Sequence, residues 1–493
     1  MSRELHAFRL RLTNMALEHP HACALWGEDL RLSYAELDAE IELRQQLLRG
    51  MDAKVVALAL ENGPDALVWD LAILFEGLAC LFMPPFFSAA QRRHCLDQSQ
   101  ADLVIAHAEH ADEFETAGFT RRSGFWSRTP DKPHLLPANT AKLTFTSGTT
   151  GTPKGVCLSA DSVLVVAREL YEASRAKRPR HHLSILPMAI LLENIGCYAA
   201  LYAGATLSLP SQRTLGIRDA SGIDLPRLLN CLKIRQPDSM ILVPQLLLAL
   251  VSACEMEAFN PQGLSFVAVG GAKVSVELLL RAKAVGIPVF EGYGLSECAS
   301  VVALNRPEAC RLGSVGKPLP HVQIKLADDG EVLIGGAPML GYLGESKAEP
   351  EWRPSGDLGE FDEDGYLYLK GRKKHQFVTS FGRNVNPEWV EAELTQRGII
   401  GQAFVYGEAM PHNHALLWPL RPDTTDLQIA DAVAQANQTL PDYARVHGWT
   451  RLDHPFTTAN GMATANGRPR REAILAHYGQ HFSQSSHTRV LSS

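Results

Sequence analysis

Short apolar runs alternate with helix-length amphipathic stretches through the first three hundred residues, and this rhythm limits the folds open to the chain. Val55–Leu60, Leu103–Ala106, Leu183–Pro187, Ser239–Val243, Phe266–Val269 and Val289–Glu291 are each followed by a helical pattern. Strands separated by helices pair in parallel and bury both faces, so an α/β fold is expected, with a large N-terminal part of two parallel α/β layers. At 493 residues the chain exceeds what one compact core holds, and at least two domains follow.

The rhythm changes between about 310 and 372. Gln323–Leu326, Glu331–Ile334 and Tyr366–Lys370 read as short strands punctuated by Asp-Asp-Gly and Asp-Glu-Asp-Gly turns, a small β-barrel-like unit. Beyond it, strands near 375–379 and 402–406 and helices near 387–397 and 426–438 fit a compact α+β domain over 373–493. The large domain is then 1–372.

Charge and cysteine usage narrow the partners. A net charge of −7 argues against sequence-independent nucleic-acid binding, which needs a basic surface. The nine cysteines stand singly with no CxxC, so neither a disulfide framework nor a structural zinc site is expected. The first twenty residues are broken by charges, unlike a signal peptide, and Asn194–Gln212 reads as buried core, not a membrane span; a cytoplasmic location is expected. The basic cluster Arg175–His182 reads as a solvated loop around Pro179, and His412 and His414 as surface residues without metal-ligating company. All 14 lysines lie at or before Lys374, leaving the last 119 residues with none.

The sharpest local signal is Leu143-Thr-Phe-Thr-Ser-Gly-Thr-Thr-Gly-Thr-Pro-Lys154-Gly155. Gly148 and Gly151 let the backbone wrap closely so that neighbouring N–H groups converge on an anion. Thr146, Ser147, Thr149 and Thr150 add hydroxyl donors, and Lys154 brings a compact positive charge suited to terminal phosphates. The run does not satisfy the Walker pattern, because Lys154 follows Pro153 and precedes Gly155.

This loop resembles the signature of the adenylate-forming enzymes, the superfamily of acyl-CoA synthetases, peptide-synthetase adenylation domains and luciferases. The likeness continues in order from Leu32-Ser-Tyr-Ala-Glu-Leu37 to Asn466-Gly-Arg-Pro-Arg-Arg471. It implies ATP- and Mg²⁺-dependent activation of a carboxylate to an acyl-adenylate, usually followed by transfer to a thiol. Tyr293-Gly-Leu-Ser-Glu297 matches a second motif, which implies a Tyr293 ring against adenine, a Ser296 hydroxyl at the α-phosphate and Glu297 as the Mg²⁺ ligand. Asp357, expected at a turn, and Arg372 resemble the ribose-binding pair, and Gly271 lies in a loop that lines the nucleotide and acyl pocket. Lys374 matches the hinge about which the mobile small domain turns between half-reactions. Gly382 matches the loop that admits a thin thiol arm in the second step.

Two departures matter. Pro187-Met-Ala-Ile190-Leu-Leu-Glu193 carries isoleucine where long-chain acyl-CoA synthetases place a histidine, so this position can only shape a pocket. The helical stretch after it is expected to be mostly core. At the C-terminus, the catalytic lysine of Thr-x-x-Gly-Lys is replaced by Arg468 in Thr464-Ala-Asn-Gly467-Arg468. Arginine keeps the charge but is planar and bulkier. Lys154, Glu297 and Arg468 are thus the expected catalytic groups. The resemblance implies an acid–thiol ligase acting on an apolar, fatty carboxylate with coenzyme A as acceptor. The alternatives are a ligase loading the phosphopantetheine of an acyl carrier protein and a degenerate member with weak or no turnover.

Overall fold

The computed structural model describes residues 2–107, 111–122, 124–130, 136–146, 154–217, 223–336, 339–345, 350–464 and 467–484. Two large sheets dominate. In the first, parallel strands Val55–Ala59, Ala79–Phe82, Leu103–Ala106 and Thr140–Thr146 form the centre of eight strands. In the second, Thr206–Ser208, His181–Leu183, Ser239–Leu242, Phe266–Val269 and Val289–Tyr293 run parallel within nine. Both sheets carry antiparallel edge strands, which the alternation of strands and helices does not reveal.

Helices fill the space between the layers. Pro64–Glu76 begins with proline, ends at Gly77 in the left-handed region (φ +77°), and buries Pro64 and every residue from Ala66 to Leu74. Leu191–Ala203 packs opposite it, with Tyr198 and Tyr202 against Phe8. Asp70, Lys142, Asn194 and Tyr198 meet inside this contact: Asn194 Nδ2 and the Tyr198 hydroxyl donate to Asp70 Oδ2 at 2.8 and 2.5 Å, and Lys142 pairs with Oδ1. Burial raises the Asp70 pKa, but Lys142 and these donors outweigh it and hold the carboxylate charged.

The β unit is a four-stranded antiparallel sheet of Gln323–Leu326, Glu331–Gly335, Arg353–Phe361 and Leu367–Arg372. After Lys373–His375, Ile400–Tyr406 pairs antiparallel with Asn413–Pro419, which pairs parallel with Val446–Arg451; Pro387–Thr395, Asp426–Thr439 and Arg471–Gln484 are its helices. Among the described residues no helix is long and apolar enough to cross a membrane.

Three expectations need correction. The strand expected at Leu183–Pro187 is His181–Leu183, and Ser184–Ile190 leaves the sheet as a loop. The basic cluster is therefore not all solvated loop: His182 is buried and bonds Ser239, while His181 stacks on Trp26 at 5.7 Å. Pro179 ends the loop, and Asp238 accepts the Arg180 and His181 N–H groups to start the strand. His414 is half-buried in Asn413–Pro419 with its ring on Thr450, so it is a sheet residue.

Candidate active site

The cleft lies at the carboxyl ends of the parallel strands, where α/β sheets bind ligands, and extends under the small domain. Its volume is about 2500 Å³. Thr140–Thr146 and Lys154–Ser159 are paired antiparallel strands, with Thr146 opposite Lys154, so the two ends of the glycine-rich loop are brought side by side. Ser147, Gly148, Thr149, Thr150 and Gly151 lie outside the described residues.

Lys154 and Glu297 face each other across Tyr342. The lysine ammonium is 5.1 Å from the Tyr342 ring centre and 3.5 Å from Glu345, and the tyrosine hydroxyl donates to Glu297 Oε1 at 2.9 Å. The motifs do not include Tyr342. It arrives because Gly341–Tyr342 adds an edge strand beside Lys154–Ser159, a two-residue pairing with no periodicity to betray it. Glu297 and Ser296 begin the short 3₁₀ turn Ser296–Cys298 that follows Tyr293. Gly294, between Tyr293 and Ser296, has no room for a side chain, since a Cβ there would fall on the Ser300 carbonyl.

Tyr293 is mostly buried, and its hydroxyl donates to Asp357 Oδ2 at 2.6 Å. Arg372 Nε sits 2.9 Å from Asp357 Oδ1, and its Nη1 donates to the Ser355 carbonyl at 3.0 Å. Asp357 is not at a turn: it lies within Arg353–Phe361, cross-strand from Arg372, so strand register fixes the pair. Burial pushes its pKa above the ordinary carboxylate value, partly offset by Arg372 and Tyr293. The expected residues Tyr293, Asp357 and Arg372 are thus one hydrogen-bonded group.

Gly270–Ala272 follows Phe266–Val269, with Gly271 at φ +83°. The Arg468 guanidinium donates to the Gly271 carbonyl, carrying the small domain's last loop into the cleft. Lys374 stands in the turn between domains, its pKa lowered by burial and by Arg372. Gly382, at φ +71°, is exposed at the tip of the hairpin between Phe377–Val378 and Asn384–Val385, beside Phe381 at 74 % exposure. No described contact carries Gly382 to Arg468 or Asp357 in this arrangement. Glu291 also lines the cleft unannounced by the motifs. It is buried, its pKa raised to about 8 by loss of solvent and moderated by Lys273.

The cleft also has aliphatic lining. Ile190, Leu192, Val243, Leu246 and Leu248, which belong to one apolar cluster, are on its wall, as is Met256. The helix Leu191–Ala203 is mostly core, as expected, with Leu191 and Leu192 reaching the cleft.

Known proteins match in the same order. Residues 12–343 match the AMP-binding enzyme family, and residues 374–485 match the AMP-binding enzyme C-terminal domain. The long-chain-fatty-acid–CoA ligase FadD15 of Mycobacterium bovis is 28% identical over 421 residues, 69% of this chain and 68% of that protein. The 2-succinylbenzoate–CoA ligase of Enterococcus faecalis is 26% identical over 470 residues, 88% of this chain and 92% of its own. Two solved structures share the fold. The anthranilate CoA ligase AuaEII, in complex with anthranoyl-AMP, has a TM-score of 0.81 at 17% identity and covers 97% of this chain and 98% of its own. The O-succinylbenzoate coenzyme A synthetase MenE of Bacillus subtilis, in complex with ATP and magnesium, has a TM-score of 0.74 at 22% identity over 94% and 98%. With both domains matched in sequence and the cleft formed between them, the chain belongs to the AMP-binding enzyme family.

Proposed function

We propose that the protein is an acid–thiol ligase that activates an apolar, fatty-type carboxylate with ATP and passes the acyl group to coenzyme A. The carrying observation is that one cleft is lined both by the polar groups of the motifs, drawn from both domains, and by Ile190, Leu192, Val243, Leu246 and Leu248 of one apolar cluster. An alkyl chain gains about 0.8 kcal/mol per methylene buried against such a wall, whereas an aryl dicarboxylate would bring a second charge to it. The likeness to FadD15 agrees with this reading, and the likeness to a 2-succinylbenzoate ligase supplies the competing one.

In the first half-reaction a carboxylate oxygen attacks the α-phosphorus of ATP, and the bond to the pyrophosphate oxygen breaks. Asp357 and Arg372 hold the ribose, Tyr293 lies against the base, and the Ser296 hydroxyl and Gly271 loop border the α-phosphate. Lys154 meets the terminal phosphates with Thr146, Ser147, Gly148, Thr149, Thr150 and Gly151. Arg468 supplies positive charge where the new bond forms. Glu297 is the protein ligand for Mg²⁺, which offsets phosphate charge when bound. A single half-exposed carboxylate fits an ion that relies on phosphates and water, and among the described residues no three His, Cys, Asp or Glu side chains gather into a metal cage. In the second half-reaction the small domain turns at Lys374 and Gly382 borders the thiol's path. Sulfur bonds to the acyl carbon, AMP leaves with the carboxyl oxygen, and the thiol proton passes to solvent.

The test is incubation of the full-length protein with ATP, MgCl₂ and coenzyme A against octanoate, palmitate, 2-succinylbenzoate and anthranilate, read by mass spectrometry. Acyl-CoA from the alkyl acids supports the proposal. Product from the aryl acids alone overturns the substrate class. Substituting a phosphopantetheinylated carrier protein for coenzyme A distinguishes the acceptor.

A further inference from the structure

The two domains join at Gly371–His375, and the first turn of Pro387–Thr395 lies directly on that segment. Asn386 caps this helix, its Oδ1 accepting from the Glu388 N–H at 3.0 Å. The Asn386 amide also fills the space beside Gly371, where φ is +127° and a Cβ would overlap the side chain. Glu388 then spans the joint. Its Oε2 accepts from the Arg372 main-chain N–H at 3.3 Å, and its Oε1 is 2.7 Å from His375 Nδ1.

One carboxylate therefore touches the chain on both sides of Lys374. A continuous polar path runs from Asp357 through Arg372 and Glu388 to His375, linking the nucleotide end of the cleft to the small domain. Burial would raise the Glu388 pKa, but the His375 bond and the charges of His375, Arg471 and Arg372 outweigh it and keep the group ionised. The domain arrangement that these bonds accompany is the one in which Arg468 reaches the Gly271 carbonyl.

We propose that Glu388 is a positioning residue for adenylation: it clasps the joint in the arrangement that delivers Arg468 to the cleft. The inference rests on the ligase reading above. Turning the small domain about Lys374 changes the backbone between Arg372 and His375, so both bonds to one carboxylate cannot survive the turn. The clasp favours the first half-reaction and must open for the second. Glu388 acts through the placement of Arg468 and takes no part in bond making.

The test uses full-length wild type, Glu388→Ala and Glu388→Gln. Acid-dependent pyrophosphate release reads the first step, and thiol-dependent consumption of a synthetic palmitoyl-adenylate reads the second. Glu388→Ala should slow the first step about 10–100-fold, the size expected for losing hydrogen bonds to a charged group, while the second stays within about threefold. Glu388→Gln, which keeps a carbonyl acceptor, should recover part of the loss, with the KM values for acid and ATP little changed. Equal losses in both steps, or none in the first, overturn the proposal. Amide hydrogen exchange keeps this result separate from the ligase reading. Glu388→Ala should speed exchange at Arg372 and Gln376 while Ile400–Tyr406 stays protected. Unchanged exchange at the joint overturns the clasp whatever the activity, whereas faster exchange in a protein inert toward every acid overturns only the ligase reading.

Discussion

Arg468 concentrates the chemical question at the scale of one residue. Its guanidinium reaches the Gly271 carbonyl, so the arginine that stands in place of a lysine does enter the cleft. Removing a well-placed charge from such a site costs on the order of 10²–10³ in rate. Arg468→Ala should therefore lower acid-dependent pyrophosphate release by about that factor, and Arg468→Lys, being more compact, should match or exceed wild type. A rate unchanged in Arg468→Ala and lowered in Arg468→Lys would remove the arginine from the proposed mechanism. Asp357 offers a second test. Its two oxygens are already held by Tyr293 and Arg372, so Asp357→Asn should raise the KM for ATP about tenfold or more through loss of charge-assisted bonds. A KM within twofold of wild type in steady-state kinetics would contradict the ribose role. These residues were legible in the sequence because short motifs name them. Their mutual bonding was not, since Asp357 and Arg372 meet through cross-strand register and Tyr293 reaches them from another sheet.

Elements hold the site by close approach and by buried charge. Gly294 separates Tyr293 from Ser296 and Glu297, and a side chain there must displace the Ser300 backbone. Gly294→Ala should introduce about 1–3 kcal/mol of strain in this turn, lowering ATP-dependent pyrophosphate release more than the thermal midpoint. Equal activity would show that the turn relaxes freely. Behind the cleft, Asp70 ties Lys142, on the strand that leads into the glycine-rich loop, to Asn194 and Tyr198 on the helix behind Ile190. Lys142→Met leaves the Asp70 charge buried and should cost about 3–5 kcal/mol in urea unfolding, and the double change Lys142→Met with Asp70→Leu should recover much of it. Full additivity of the two single changes would contradict the pairing. Periodicity located most parallel strands to within a residue or two, because both of their faces are apolar. It misplaced His181–Leu183, whose two histidines look polar yet bond Ser208 and Ser239, and it was silent on the short antiparallel edges, which depend on partners distant in sequence.

At the scale of the whole molecule, the domains are also held by Arg397 with Glu277 at 2.9 Å and by Arg281 donating to the Gln396 carbonyl at 2.6 Å. Both contacts lie away from the joint at Lys374, and no motif marks them, because they arise only when the domains meet. Stability should also respond to pH. Burial raises the carboxyl of Glu193 to about 8, with Ser184 and the Ile185 and Leu186 N–H groups only partly offsetting it. The folded state holds this proton more tightly than the unfolded chain, so the contribution is complete below the ordinary carboxyl pKa and drains away as pH rises toward about 8. The thermal midpoint should fall across that window, and Glu193→Gln should flatten the fall; an identical profile in the variant would contradict the assignment. Acyl-adenylate formation is the step on which all the other roles depend, and the fate of carboxyl oxygen tests it directly. With ¹⁸O-labelled palmitate, ATP, MgCl₂ and coenzyme A, attack on the α-phosphorus predicts that the AMP formed carries one ¹⁸O atom from the acid. Palmitoyl-CoA formed with unlabelled AMP, and ¹⁸O instead in inorganic phosphate, would contradict it.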